Sequence, residues 1–271
     1  SCETDFDTDV NDVVVTSGDA NFSKYIALGN SLTSGYRDNA LCIDGQNESY
    51  PNIIANQMKL AGGGEFAQPL MSDNNGGMVL GNQTILGTKL FIESFANGSP
   101  VLKNVAATPT TDVSKKLTGT INNMGVPGAK SFHLVAPGYG SLAALATQRS
   151  NPYYVRFSTS ETSTIAGDAA AQRPTFFSLW IGNNDVLSYA TSGGSGIDQQ
   201  GNLNPATYGS NDISDPAVVA GSIKGVLDAL KATGSTKGVI ASIPYVTSMP
   251  YVTTVLCAQT LQRLMQVCMA L

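Results

Sequence analysis

Three short blocks of this 271-residue chain combine residues able to do chemistry, and each follows an apolar run. In the first, Tyr25 to Leu28 leads into Gly29-Asn30-Ser31-Leu32 and the polar stretch Thr33-Ser34-Gly35. A buried strand that stops at Gly-Asn-Ser leaves the Ser31 hydroxyl at the carboxyl edge of a sheet, where open α/β sheets bind ligands. Exposed in a tight turn, that hydroxyl is a candidate nucleophile, although a serine in such a turn can equally serve as a turn or helix-capping residue. The second block, Asn123-Met124-Gly125-Val126-Pro127-Gly128, reads as a short strand and a Gly/Pro turn, with a helix beginning near Ala129. A helix start after glycine offers free backbone N–H groups to an anion. In the third, the apolar run Pro174 to Ile181 ends in Gly182-Asn183-Asn184-Asp185, again an abrupt change from buried strand to glycine and side-chain amides.

The elements that must position these blocks alternate. A helix is expected over Ser49 to Ala61, with Ile53, Ile54, Gln57, Met58 and Leu60 as its apolar face and Pro51 in its first turn. From about 65 to 120, Met78-Val79-Leu80, Thr84-Ile85-Leu86 and Lys89-Leu90-Phe91-Ile92 alternate with Asn-Gly and Gly-Gly turns, which predicts small hairpins in an insertion beside the site. Asp215-Pro216 opens a helix to about Thr233 with Val218, Val219, Ile223, Val226, Leu227 and Leu230 as its stripe, and Lys237 to Pro244 reads as a fourth parallel strand. Strands alternating with helices imply an α/β fold, a right-handed three-layer α/β/α sandwich around a parallel sheet.

The order and strand-end placement of the blocks resemble the SGNH, or GDSL, hydrolases, a family of esterases and lipases. The resemblance runs from Tyr25 to about Thr254. It implies a flavodoxin-like sandwich and acyl transfer from an ester, with Ser31 as nucleophile and Gly128 and Asn184 as oxyanion-hole donors. Asn30 stands where the family's usual aspartate would be, and Asp185 reads as structural. The family's last block, Asp-x-x-His, has no counterpart here. The chain's one histidine is His133, with Lys130 three residues before it, so a hydrolase with this sequence is expected to be impaired. The alternative is a non-catalytic envelope lipoprotein that binds glycan or peptide through the same cleft.

Composition narrows the rest. With 42% hydrophobic residues the chain can bury a large core, and a net charge of -5 leaves no basic patch for nucleic acid. No apolar run approaches the roughly 20 residues of a membrane helix. The four cysteines, at 2, 42, 257 and 268, fall at no metal-ligand spacing, and neither a metal nor another cofactor is expected. Ser1-Cys2 followed by Glu3, Asp5, Asp7, Asp9 and Asp12 resembles a mature bacterial lipoprotein. That resemblance implies lipidation of Cys2, residues 1–23 as a tether, and a place at the cell envelope with the lipid as the only membrane contact. Residues 24–255 then form the hydrolase-like domain. Residues 256–271, with two cysteines and no glycine, asparagine, aspartate or proline, form an atypical segment that reads as an amphipathic helix or as a chain cut short before a fifth strand. The expected partner is a small-molecule, glycan or lipid ester; the insertion and the loops carrying Tyr139, Tyr153, Tyr154 and Tyr189 leave acetylated glycans and lipids both open.

Overall fold

A computed structural model describes residues 14–245; the expectations for Cys2 and for 256–271 lie outside them. In chain order the elements are β1 (Tyr25–Gly29), α1 (Ser31–Ser34), α2 (Ile43–Asn47), α3 (Tyr50–Met58), β2 (Met78–Leu80), β3 (Gln83–Leu86), β4 (Leu90–Ala96) and β5 (Ser99–Asn104). There follow β6 (Asn123–Gly125), α4 (Pro152–Val155), α5 (Ile165–Ala171), β7 (Phe176–Trp180), α6 (Asn184–Thr191), α7 (Pro216–Lys231) and β8 (Lys237–Ile240). The fold is mixed α/β. Its main sheet is parallel throughout, in the order β6-β1-β7-β8, and β2–β3 and β4–β5 are separate antiparallel hairpins.

The period-2 alternation of strands sorts the core into two layers. Ile26 and Leu28 of β1, with Phe177 and Leu179 of β7, face a cluster that includes Ile165 and Ala169 of α5 and Val226 and Leu230 of α7. Tyr25 and Ala27 point the other way, against Ala55 of α3, with Met58, Phe66 and Phe176 packed around them. Helices therefore cover both faces, an arrangement compatible with an α/β sandwich. Helix α7 starts where its sequence says it must: the Asp215 carboxylate accepts from the N–H groups of Ala217 and Val218, and Pro216 occupies the first turn. Such a cap is worth about 1 kcal/mol.

Two sequence expectations change. Helix α3 turns Pro51 and Ala55 inward, and of the expected apolar face Met58 packs against the sheet while Ile53, and Leu60 in the 3-10 turn that follows, stay mostly exposed. The bulk in that layer comes from Tyr25, Phe66 and Phe176, with the Tyr25 and Phe66 rings stacked at 5.3 Å, and the helix adds Ala55 and Met58 to it. The helix expected from Ala129 is a single 3-10 turn over Ser131–Val135. Lys130 before it is extended and Pro137 follows it.

Strand β8 pairs with β7, yet all its residues are exposed. Among the described residues it is one of the two edge strands of the sheet, β6 being the other.

Candidate active site

The strand order decides where a site can be. The first parallel strand has the second on one side and the third on the other, so the β1–β6 and β6–β7 connections run in opposite directions across the sheet. Their divergence opens a crevice at the carboxyl ends of the strands. The register brings those ends level: Gly29 of β1 pairs with Gly125 of β6 and with Trp180 of β7. Ser31, Gly128 and Asn184, two, three and four residues beyond those partners, share this edge.

Ser31 is the first residue of α1. The Asn30 side chain caps the helix by accepting from Leu32 N–H at 3.1 Å, and Gly35 closes it in the left-handed conformation, φ 84°. Ser31 is half-buried, and among the described residues neither its hydroxyl nor its N–H has a hydrogen-bond partner. The turn is held by close packing. A Cβ on Gly29 would strike Thr33 Oγ1 and lie 2.5 Å from the Trp180 carbonyl oxygen, and one on Gly125 would lie 2.5 Å from Ser34 N. Only glycine lets α1 fold back onto the ends of β1 and β6.

Gly128 sits in a tight turn closed by Ala129 N–H donating to Val126 C=O at 3.1 Å. Pro127 precedes it, and its φ of 81° is the value a type II turn asks of glycine. Gly128 is exposed, and its N–H has no partner among the described residues. Side chains from elsewhere hold this turn. Asn151 Nδ2 donates to Pro127 C=O at 2.8 Å and to Tyr139 Oη at 3.0 Å. Asn184 Nδ2 donates to Ala129 C=O at 2.9 Å, which ties the end of β7 to the segment after β6. An amide nitrogen carries two N–H groups, so the second stays available.

Behind the site, buried Asp185 accepts from Ser131 N–H at 2.8 Å and Ser131 Oγ–H at 2.9 Å. Burial raises its pKa above the ordinary aspartate value, against the hydrogen bonds and the nearby Lys130 ammonium. Lys130 is buried too, donating to Asp212 C=O at 2.8 Å, and desolvation lowers its pKa. Asn123, unnoticed as a positioning residue in the sequence, clamps α1 to β6: its Nδ2 donates to Thr33 C=O at 3.0 Å while its Oδ1 accepts from Gly125 N–H at 3.1 Å. The pair Asn122-Asn123 at the start of a buried strand was the signal. Three buried polar atoms at the ends of β1 and β7, Asn30 Nδ2, Trp180 Nε1 and Asn183 Oδ1, have no partner among the described residues. Such orphans are costly and concentrate where function requires them.

His133 is not positioned as a base for Ser31. Its Nδ1 accepts from Lys130 N–H at 3.0 Å, and its ring stacks on Tyr139 with centroids 4.2 Å apart. Burial, then the Lys130 charge, lowers its pKa to about 4, so the ring is neutral. Tyr139 and Tyr154 belong to the core, with Tyr153 packed against it, so these rings support the site from behind and are not a lining for substrate. Cys42 is a buried free thiol, and among the described residues no group of three or more His, Cys, Asp or Glu is placed to hold a metal. Compared with known proteins, the chain matches no protein-family profile, no curated protein and no solved structure.

Proposed function

We propose that this chain is a serine ester hydrolase of the SGNH type, with Ser31 as nucleophile and the Ser31 N–H, Gly128 N–H and Asn184 amide as oxyanion donors. The observation that carries this reading is that Ser31, with its hydroxyl and N–H unbonded, Gly128, with its N–H unbonded, and Asn184, with one N–H of its amide still available, all follow strand ends that lie level in the sheet. Acyl transfer requires this combination: a hydroxyl free to attack a carbonyl, and N–H groups aimed at the charge that develops on its oxygen. The sandwich of the SGNH family, with Asp185 as a structural residue, fits the observed sheet order. The substrate is an ester, and no cofactor enters the step.

The weak element is the base. His133, stacked on Tyr139, bonded at Nδ1 to Lys130 N–H and weakened as a base by burial, does not accept the Ser31 proton as the hydroxyl attacks, so turnover is slow. That same observation favours a second reading, a lipid-anchored envelope protein that binds glycan or peptide in the cleft without turnover. Hydrolysis of a short-chain p-nitrophenyl ester separates the two. The hydrolase predicts slow turnover that is lost in Ser31→Ala, whereas a rate the substitution leaves unchanged would end the nucleophile assignment.

A further inference from the structure

The dipeptide Asn-Gly occurs twice in the chain, at Asn75-Gly76 and at Asn97-Gly98, and the fold treats the two differently. In this pairing the backbone nitrogen of the second residue can attack the side-chain amide of the first. Glycine leaves that nitrogen unshielded, because it has no Cβ and its peptide turns freely. Ring closure needs the peptide between the two residues to swing away from its native orientation. Which asparagine reacts is therefore decided by what holds that peptide in place.

Asn75 is held on several sides. Its N–H donates to Asp73 Oδ1 at 2.7 Å, and its carbonyl accepts from Lys89 N–H at 2.8 Å. Gly76 is buried, and a Cβ placed on it would lie 2.6 Å from that of Ala40. Rotation of this peptide breaks the bond to Lys89 and drives main chain against a packed neighbour.

Asn97 has none of these restraints. It is the first residue of a two-residue loop closed by the Ala96–Ser99 pair at the tip of the β4–β5 hairpin. Its φ of 51° and the 78° of Gly98 are those of a type I′ turn. Both residues are exposed, and neither the Asn97 side chain nor the Gly98 N–H has a hydrogen-bond partner among the described residues. Nothing lies within 4 Å of where a Cβ on Gly98 would stand. All of β5 and all of β4 except Leu90 are exposed, so the tip opens without disturbing a core. Openings of this kind are the least costly a folded chain makes.

We propose that Asn97 is a self-modification site, which the folded chain converts without an enzyme to aspartate and isoaspartate, with water as co-reactant. The Gly98 nitrogen gives its proton to solvent and bonds to Asn97 Cγ. The bond from Cγ to the side-chain nitrogen breaks, and that nitrogen leaves as ammonia. Water then opens the cyclic imide. Cleavage at Cγ restores the original main chain and gives aspartate, whereas cleavage at the former backbone carbonyl leaves the chain running through Cγ as isoaspartate. In both products a carboxyl replaces the amide and adds a negative charge at neutral pH.

The two products differ in what they do to the hairpin. Aspartate adopts positive φ nearly as readily as asparagine and keeps the turn. Isoaspartate adds a methylene to the main chain, so the two-residue loop no longer closes and the Ala96–Ser99 pair is lost. The change stops within the hairpin, because β4 and β5 form a sheet separate from the one whose ends carry Ser31, Gly128 and Asn184. The site is independent of the hydrolase reading, and ester hydrolysis is expected to be the same before and after conversion.

Incubation of the full chain in mildly alkaline buffer, followed by tryptic digestion and mass spectrometry, tests the assignment. Cleavage after lysine places Asn75 in the peptide 60–89 and Asn97 in the peptide 90–103, so each reports by itself. In the folded chain Asn97 should convert about tenfold or more faster than Asn75. In urea the two rates should converge. Fragmentation of the converted peptide 90–103 should show isoaspartate beside aspartate, and Asn97→Gln, which would have to close a larger ring, should abolish the conversion there and leave 60–89 unchanged. Equal rates in the folded chain overturn the site, as does an Asn97 that survives folded incubation intact. A preference for Asn97 as large in urea as in the folded chain also overturns it, because local sequence and not the fold would then choose the residue.

Discussion

The turn that carries the candidate nucleophile and the turn that carries Gly128 are fixed by different forces. The first, from Gly29 to Gly35, is held by close approach of backbone to backbone, and glycine is required at 29 because there is no room for a Cβ. The second, from Val126 to Ala129, has room: a Cβ on Gly128 would come no nearer than 3.9 Å to Asn151. It is held by amide side chains that lie 24 and 55 residues further along the chain. A turn built by packing is encoded where it stands. A turn built by remote hydrogen bonds is encoded elsewhere, and its failure would show as misplacement before it showed as unfolding.

That difference can be broken from either side. The largest effect is expected at Asn184→Ala, which removes the tie to Ala129 and, on the proposed hydrolase reading, an oxyanion donor. The ester hydrolysis rate should fall by about 10²–10³ in kcat, with the melting temperature changed much less. A variant with full kcat would leave Asn184 as a structural tie only. Gly29→Ala should do the reverse and act through stability, because its neighbours at Thr33 and Trp180 cannot both yield; overpacking of this kind costs about 3 kcal/mol. Urea unfolding of that variant measures it, and a midpoint equal to wild type would mean that α1 is free to move. Asn151→Ala loses its bonds to Pro127 and Tyr139 and its cap on α4, a cost of about 1–2 kcal/mol. Hydrolysis should drop with it, since the Gly128 N–H loses its support.

Acid should act on the second turn and leave the first alone. The first turn, Gly29 to Gly35, contains no titratable side chain, while the segment after the second carries His133. Its folded pKa of about 4 lies below its ordinary value of 6.5, so the unfolded chain binds more protons between those limits. Its contribution is therefore constant above about pH 6.5, and stability is lost as the pH falls from there towards about 4, at no more than about 1.4 kcal/mol per pH unit. Unfolding midpoints of wild type and His133→Gln, compared across that window, should converge at the acid end. Parallel curves would mean that His133 titrates normally.

Strands β1 and β7 were readable because parallel strands buried on both faces are unbroken apolar runs, Phe176 to Trp180 being the clearest, whereas β8 was read from a short apolar run although all its residues are exposed. Helix α7 was readable from its Asp-Pro start. The face of α3 was not, because periodicity names apolar positions without saying which of them the neighbouring layer can accept. The small α1 was expected only as a polar turn, since four residues are too few to carry a period.

Within the candidate site, sequence alone determined the first block: Gly29-Asn30-Ser31 specifies a strand end, a close approach and an exposed hydroxyl through neighbours in the chain. It also determined that no Asp-x-x-His is present in these 271 residues. Tertiary structure decided that Ser31, Gly128 and Asn184 share one edge, because only pairing in the order β6-β1-β7 sets Gly125 and Trp180 beside Gly29. It decided the roles of Asn123, Asn151 and Asp185 as well. An asparagine or aspartate has the same donors and acceptors anywhere in the chain, and what it binds depends on which distant backbone groups the fold leaves unsatisfied. The same holds for His133, whose neutrality comes from burial against Tyr139 and from the charge of Lys130. Local sequence carries propensity and pattern; partnership across the fold is set by packing.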